Sequence, residues 1–155
     1  MKYGSIKCHT RIAAAVLLAC GTSLAHADSC SGTDVLVWQT AETTELGPNH
    51  SITVLKAYSI IVSDDSIYDG LAGECHGSAL ATPDGKVQSM GYCARRDSDG
   101  DTASIAWHMG PGASRGMWKN IGGTGKYAGK NDSGWYEPVL ADGMMATTRW
   151  GGNCR

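Results

Sequence analysis

The chain has 155 residues, with 21 glycines, no phenylalanine, 18% charged residues and a formal net charge of −2. That length suits one small domain, or a targeting segment plus one domain. It excludes a two-domain enzyme, a TIM barrel and a complete doubly wound dinucleotide fold. Apolar content of 42% argues against disorder. Glycine costs about 0.8–1 kcal/mol relative to alanine in a helix. It is well suited to strands that bend and turn, so the composition points to a compact β domain.

In chain order, Lys2, Lys7 and Arg11 form a positive n-region and residues 12–24 an apolar stretch too short to span a bilayer. Ala25-His26-Ala27 is a small-x-small cleavage pattern. Residues 1–27 therefore read as a signal peptide that is removed, and residues 28–155 as a single β-barrel domain. Leu17-Leu18-Ala19-Cys20 offers a rival, a lipobox that would anchor the protein at Cys20. Either reading places the protein outside the cytoplasm, periplasmic or secreted, with no transmembrane segment. Loss of the three basic residues takes the net charge to −5. With no basic stripe to meet phosphates, nucleic acid is not an expected partner.

Turn-rich clusters then recur at short intervals, and the runs between them have strand composition. Eight strands are predicted, over 34–40, 51–62, 71–82, 86–96, 102–109, 115–121, 132–139 and 143–151. Residues 51–62 also fit a helical face, but β-branched residues dominate and turns flank them. Short, regularly spaced strands without helices mean a sandwich or an up-and-down barrel.

Four cysteines remain after the signal, Cys30, Cys75, Cys93 and Cys154, and three pairings are open to them. Pro83-Asp84-Gly85 is a strong turn signal. Centring a hairpin on Asp84 sets Cys75 opposite Cys93, His76 opposite Tyr92, Ser78 opposite Met90 and Glu74 opposite Ala94. Cysteines directly across a strand pair can bridge, so Cys75–Cys93 is expected. Cys30–Cys154 would then tie the first strand to the last, as a closed barrel requires. The close spacing of zinc cysteines is missing, so no metal is expected there.

Asp99-Gly100 suggests a two-residue type I′ hairpin. Centred there, Ala94 faces Ile105, Tyr92 faces Trp107 and Met90 faces Met109. The two hairpins then agree on a buried face holding Leu80, Met90, Tyr92, Ile105, Trp107 and Met109. Glu74 and His76 share that face, while Ser89, Gly91, Cys93, Thr102, Ser104 and His108 fall on the other. An interior histidine beside a carboxylate can act as general acid or base. The plainer alternative is a core histidine satisfied by Tyr92 or by backbone, with Glu74 at the barrel mouth.

Other motifs carry less. Asp97, Asp99 and Asp101 resemble part of a calcium loop, but Thr102 and His108 stand where an EF-hand needs glycine and a bidentate acid. A polar hairpin turn or weak calcium binding remains. Gly112-Ala113-Ser114-Arg115-Gly116 matches a nucleophile elbow by letter without the α/β context that gives it meaning. Gly123-x-Gly125-x-x-Ala128 likewise lacks a βαβ unit.

Gly122-Gly123-Thr124-Gly125-Lys126-Tyr127-Ala128-Gly129 resembles the G-G-T-G-x-[FY]-x-G turn of the allene oxide cyclase and dirigent proteins and of small exported bacterial proteins similar to them. The likeness covers roughly residues 71–136. It implies an all-β, eight-stranded, calycin-like antiparallel barrel with a lumen for a small apolar molecule. In relatives of that kind the lumen steers a reactive intermediate without a cofactor, and the barrels often associate. None of their catalytic positions is carried over to this chain.

The leading expectation is an exported barrel for a hydrophobic or aromatic ligand. Met90, Tyr92, Trp107 and Trp118 would line it, with His76 and Glu74 as polar and catalytic groups. If it turns the ligand over, cofactor-independent isomerase, cyclase or lyase chemistry suits such an interior. A protein-binding module of the protease- or lysozyme-inhibitor kind, and an envelope structural protein without a pocket, are the alternatives.

Overall fold

The computed structural model describes residues 29–154. The expected signal segment, its cleavage site and the lipobox at Cys20 lie outside the described residues.

Eight antiparallel strands close into a barrel in sequence order: β1 (Ser29–Gly47), β2 (His50–Val62), β3 (Ala72–Ala81), β4 (Val87–Arg96), β5 (Thr102–Met109), β6 (Gly116–Gly123), β7 (Ser133–Asp142) and β8 (Met145–Asn153). All eight expected strands are present. β2 settles the helix-or-strand ambiguity by strict alternation: Ala57, Ser59 and Ile61 are buried while Tyr58, Ile60 and Val62 are exposed. β1 is much longer than its sequence suggests. Ser29 to Val37 pair with β8, from Asn153 to Met145, and the strand continues along β2 to Gly47. Residues 39–47 are exposed on both faces, so they show no hydrophobic alternation to read.

Closure removes the free edges that an open sheet would present along β1 and β8. The Cys30–Cys154 disulfide fastens that seam, and Cys75–Cys93 joins β3 to β4. Both expected pairings are present. Two disulfides point to an oxidising, extracellular-type compartment.

The first hairpin has the expected register, with Cys75 opposite Cys93 and His76 opposite Tyr92. The second does not. Met90 pairs with His108, Tyr92 with Ala106, Gly91 with Trp107 and Cys93 with Ile105, one residue away from the expectation. The cause is the turn. Gly100 N–H donates to the Asp97 carbonyl, Asp97 N–H donates to Asp101, and Gly100 has φ 89°. This is a three-residue loop with a left-handed glycine, not a two-residue type I′ turn. The Pro83–Gly85 loop is built the same way, with Gly85 at φ 78°.

A one-residue slip moves a whole strand's side chains to the opposite face. The inner face therefore carries Cys75, Ser89, Cys93, Arg95, Ile105, Trp107 and Met109, all of which line the lumen. Met90 and Tyr92, expected inside, are on the outer face at 60% and 63% exposure.

One end of the barrel is plugged. Tyr68, in the loop between β2 and β3, stacks on Tyr127 at 5.6 Å and meets the edges of Trp118 and Trp150. Its hydroxyl donates to Asp132 Oδ2 at 2.8 Å and accepts from Asn120 Nδ2 at 3.2 Å. The glycine-rich segment from Gly122 brings Tyr127 into this plug, where its hydroxyl donates to the Ile67 carbonyl. At Gly123 a Cβ would overlap the Thr102 carbonyl oxygen and lie 2.7 Å from Cβ of Tyr127, which leaves no room for a side chain.

Candidate functional site: the barrel lumen

Above the plug lies a cavity of about 280 Å³. Leu36, Leu55, Ile61, Trp107, Trp118 and Trp150 supply much of its apolar wall. Trp38, Met109, Pro138 and Leu140 lie toward the end away from Tyr68. Trp107 lies flat over the paired glycines of β3 and β4. A Cβ on Gly77 would sit 2.5 Å from Cζ2 of Trp107, and one on Gly91 equally close. The edge of Trp107 also meets Tyr136 at 6.4 Å between ring centres.

One polar cluster interrupts this apolar wall. Arg95 on β4 reaches across β3 and β2: Nε donates to Ser59 Oγ at 2.8 Å, and Nη2 donates to Asp34 Oδ2 on β1. Nη2 also lies 3.4 Å from Cys75 Sγ. The Arg95 side chain is 5% exposed and that of Asp34 14%. Burial raises the Asp34 pKa above the ordinary carboxylate value, and Arg95 offsets only part of that rise. Oδ1 of Asp34 has no hydrogen-bond partner. The Ser59 hydroxyl, which accepts from Arg95, also opposes the rise. Nε1 of Trp150, another lumen residue, is also buried and unpartnered. Burial pushes the Tyr136 phenol up to about 12, with the Ser89 hydroxyl opposing.

A buried carboxyl with a raised pKa and one free oxygen can accept a hydrogen bond when ionised, or donate a proton when neutral. The fixed guanidinium beside it holds the carboxyl in place. Trp150 Nε1 adds a donor elsewhere in the wall.

The expected site residues divide. Trp107 and Trp118 line the lumen, while Met90 and Tyr92 do not. The β3 segment Cys75–Gly77 forms part of the wall, but the His76 side chain is 60% exposed and meets Glu74 Oε2 at 3.4 Å. Glu74 bonds Lys56 at 3.0 Å, and that bond leads the contacts holding its pKa low. The inward pair expected at 74 and 76 is thus a surface ion cluster on the outer face. The same slipped register accounts for this: Cys75, between them, is the inward residue. Asp34, Ser59 and Arg95 were missed. Arg95 follows Cys93 by two positions and so shares its face, a signal that the correct choice of face would have exposed.

The acidic hairpin is neutralised from within the chain. Lys126 Nζ lies 2.8 Å from Asp97 Oδ2 and 3.3 Å from Asp99 Oδ2, and its backbone N–H donates to Asp101 Oδ2. The ammonium thus sits where a calcium ion would need those oxygens.

These features define a closed, eight-stranded antiparallel barrel with a largely apolar lumen and one buried ion pair. No family model matches the chain, and no curated protein matches it. Solved structures do. The pterocarpan synthase dirigent protein GePTS1 superposes with a TM-score of 0.52 at 14% identity, over 81% of this chain and 84% of its own. The pterocarpan synthase dirigent protein PsPTS1 gives 0.48 at 13% identity, over 82% and 94%. The first likeness establishes the fold, and identity at that level carries no activity with it.

Proposed function

We propose that the protein is exported and holds a small, mainly apolar or aromatic molecule in the lumen, anchored by a polar group on Asp34. The observation that carries this reading is Oδ1 of Asp34, buried without a hydrogen-bond partner beside a largely apolar cavity of about 280 Å³. Leaving such an oxygen unsatisfied costs about 1–3 kcal/mol, and more where it carries charge. A ligand hydroxyl would recover that cost. The volume suits a ligand the size of one or two aromatic rings, and the tryptophans supply flat apolar contact. If the ligand is turned over, Asp34 is the buried group placed to move a proton. This supports cofactor-independent isomerase, cyclase or lyase chemistry. Asp34 takes the role that the sequence had suggested for His76.

The test is a fluorescence titration with 2-naphthol, a neutral aromatic alcohol, read through quenching of the lumen tryptophans. Saturable one-to-one binding is expected. Asp34→Asn should weaken it about tenfold, the equivalent of about 1.4 kcal/mol. Leu36→Trp, which fills the cavity, should abolish it while far-UV circular dichroism is unchanged. Failure of the wild-type protein to bind would overturn the reading and favour a protein-binding role.

A further inference from the structure

The two disulfides sit in different surroundings. Cys30–Cys154 closes the β1–β8 seam and is not among the residues lining the lumen. Cys75–Cys93 joins directly opposed residues of β3 and β4, and both cysteines are cavity-wall residues. Its two sulfurs also differ. Cys75 Sγ lies 3.4 Å from the Arg95 guanidinium and 3.4 Å from the Ser59 hydroxyl. No such contact is found for Cys93 Sγ among the described residues. A disulfide sulfur is a weak acceptor and gains little from these donors, whereas a thiolate gains a great deal.

We propose that Cys75–Cys93 is a redox-active disulfide that a low-molecular-weight thiol opens from inside the lumen, with Cys75 as the leaving sulfur. The attacking thiolate forms a bond to Cys93 Sγ. The Cys75–Cys93 bond breaks, and its electron pair leaves on Cys75 as a thiolate held by Arg95 and Ser59. Exchange favours departure of the sulfur whose anion is better stabilised. A second thiolate attacks the outer sulfur of the mixed disulfide and bonds to it, forming a small-molecule disulfide, while the bond to Cys93 breaks and Cys93 leaves as a thiolate that takes a proton from water. Two thiols are thereby oxidised and the protein disulfide gains two electrons. Asp34 shares the same guanidinium. Reduction therefore creates a second anion competing for Arg95, which couples the redox state of the wall to the group proposed to anchor the ligand.

The experiment treats the native, fully oxidised protein with 2-mercaptoethanol, quenches with iodoacetamide at intervals and maps the products by peptide mass spectrometry. The expected product carries mercaptoethanol on Cys93 and the alkyl group on Cys75. It should appear about tenfold or more faster than any opening of Cys30–Cys154. Asp34→Asn, which removes the carboxylate competing for Arg95, should speed the opening about threefold while the Cys30–Cys154 rate is unchanged. Equal opening rates for the two disulfides, mercaptoethanol found on Cys75, or no acceleration in Asp34→Asn would each overturn the proposal. It rests on an accessible lumen and on no particular ligand. A protein that binds 2-naphthol yet keeps Cys75–Cys93 closed fails here alone.

Discussion

Replacing Arg95 by Met keeps much of the side chain's volume and removes its charge, leaving the Asp34 carboxylate buried without its partner. Breaking a buried ion pair from one side costs about 3–5 kcal/mol, because the remaining charge keeps its desolvation penalty and loses its attraction. At a urea dependence of about 1–3 kcal/mol per molar, a loss near 4 kcal/mol lowers the unfolding midpoint by roughly 2 M. The pH dependence gives the sharper reading. Asp34 has a folded pKa raised above its unfolded value of about 3.9, and losing Arg95 raises it further. For an acid shifted upwards, stability is greatest below the unfolded pKa, where both states are protonated. It falls as pH rises towards the folded pKa. Arg95→Met should therefore lie closest to wild type near pH 4 and fall furthest behind at neutral pH. Urea titrations followed by tryptophan fluorescence at several pH values measure this. Adding Asp34→Leu should recover most of the loss at pH 7, since a buried pair is often replaceable by apolar groups. An Arg95→Met midpoint equal to wild type at pH 7, or a deficit that does not change with pH, would refute the reasoning.

Other perturbations reach the rest of the structure. Gly91→Ala places a Cβ that overlaps the His76 carbonyl oxygen and comes within 2.5 Å of Trp107. It should cost about 1–3 kcal/mol as overpacking, read as a lower melting temperature with altered near-UV circular dichroism; an unchanged melting temperature would contradict the packing. Replacing Cys30 and Cys154 by Ser frees a loop of 124 residues, against 18 for Cys75–Cys93. By loop entropy the first loss should be the larger, about 4–5 against about 3 kcal/mol, and denaturant titration of the two double variants ranks them. Tyr68→Phe removes the hydroxyl that joins Asn120 to Asp132 and should cost about 1–2 kcal/mol, measured in the same way. His76→Ala, on the outer face, should leave 2-naphthol affinity within about twofold of wild type, a change below about 0.4 kcal/mol; a larger loss would put the imidazole back into the site.

Local chemistry made much of the fold legible. Turn residues at short intervals separated eight strands, and the odd centre at Asp84 placed Cys75 against Cys93. The positions of Cys30 and Cys154 near the ends of the barrel domain suggested the closed seam. Each of these depends on nearest neighbours or on chain ends, which a linear sequence displays. The long reach of β1 was hidden because residues 39–47 bury neither face and so carry no period.

The interior was decided elsewhere. Side chains alternate with a period of two, so a loop longer by one residue at Asp97–Asp101 exchanged Met90, Tyr92, Glu74 and His76 for Ser89, Gly91, Cys93 and Arg95 on the lumen side. Asp-Gly is compatible with either loop length, and the choice falls to the hydrogen bonds of Asp97 and the bridging Lys126. Asp34 and Arg95 stand 61 residues apart on β1 and β4, with two strands between them. Only the curvature of a closed barrel brings side chains from such strands together across its interior. The sequence by itself determined the number and order of the strands and the disulfide pairing, because turns and facing cysteines are local; the tertiary structure decided the reach of β1 and which face became the lumen, and set the buried ion pair within it.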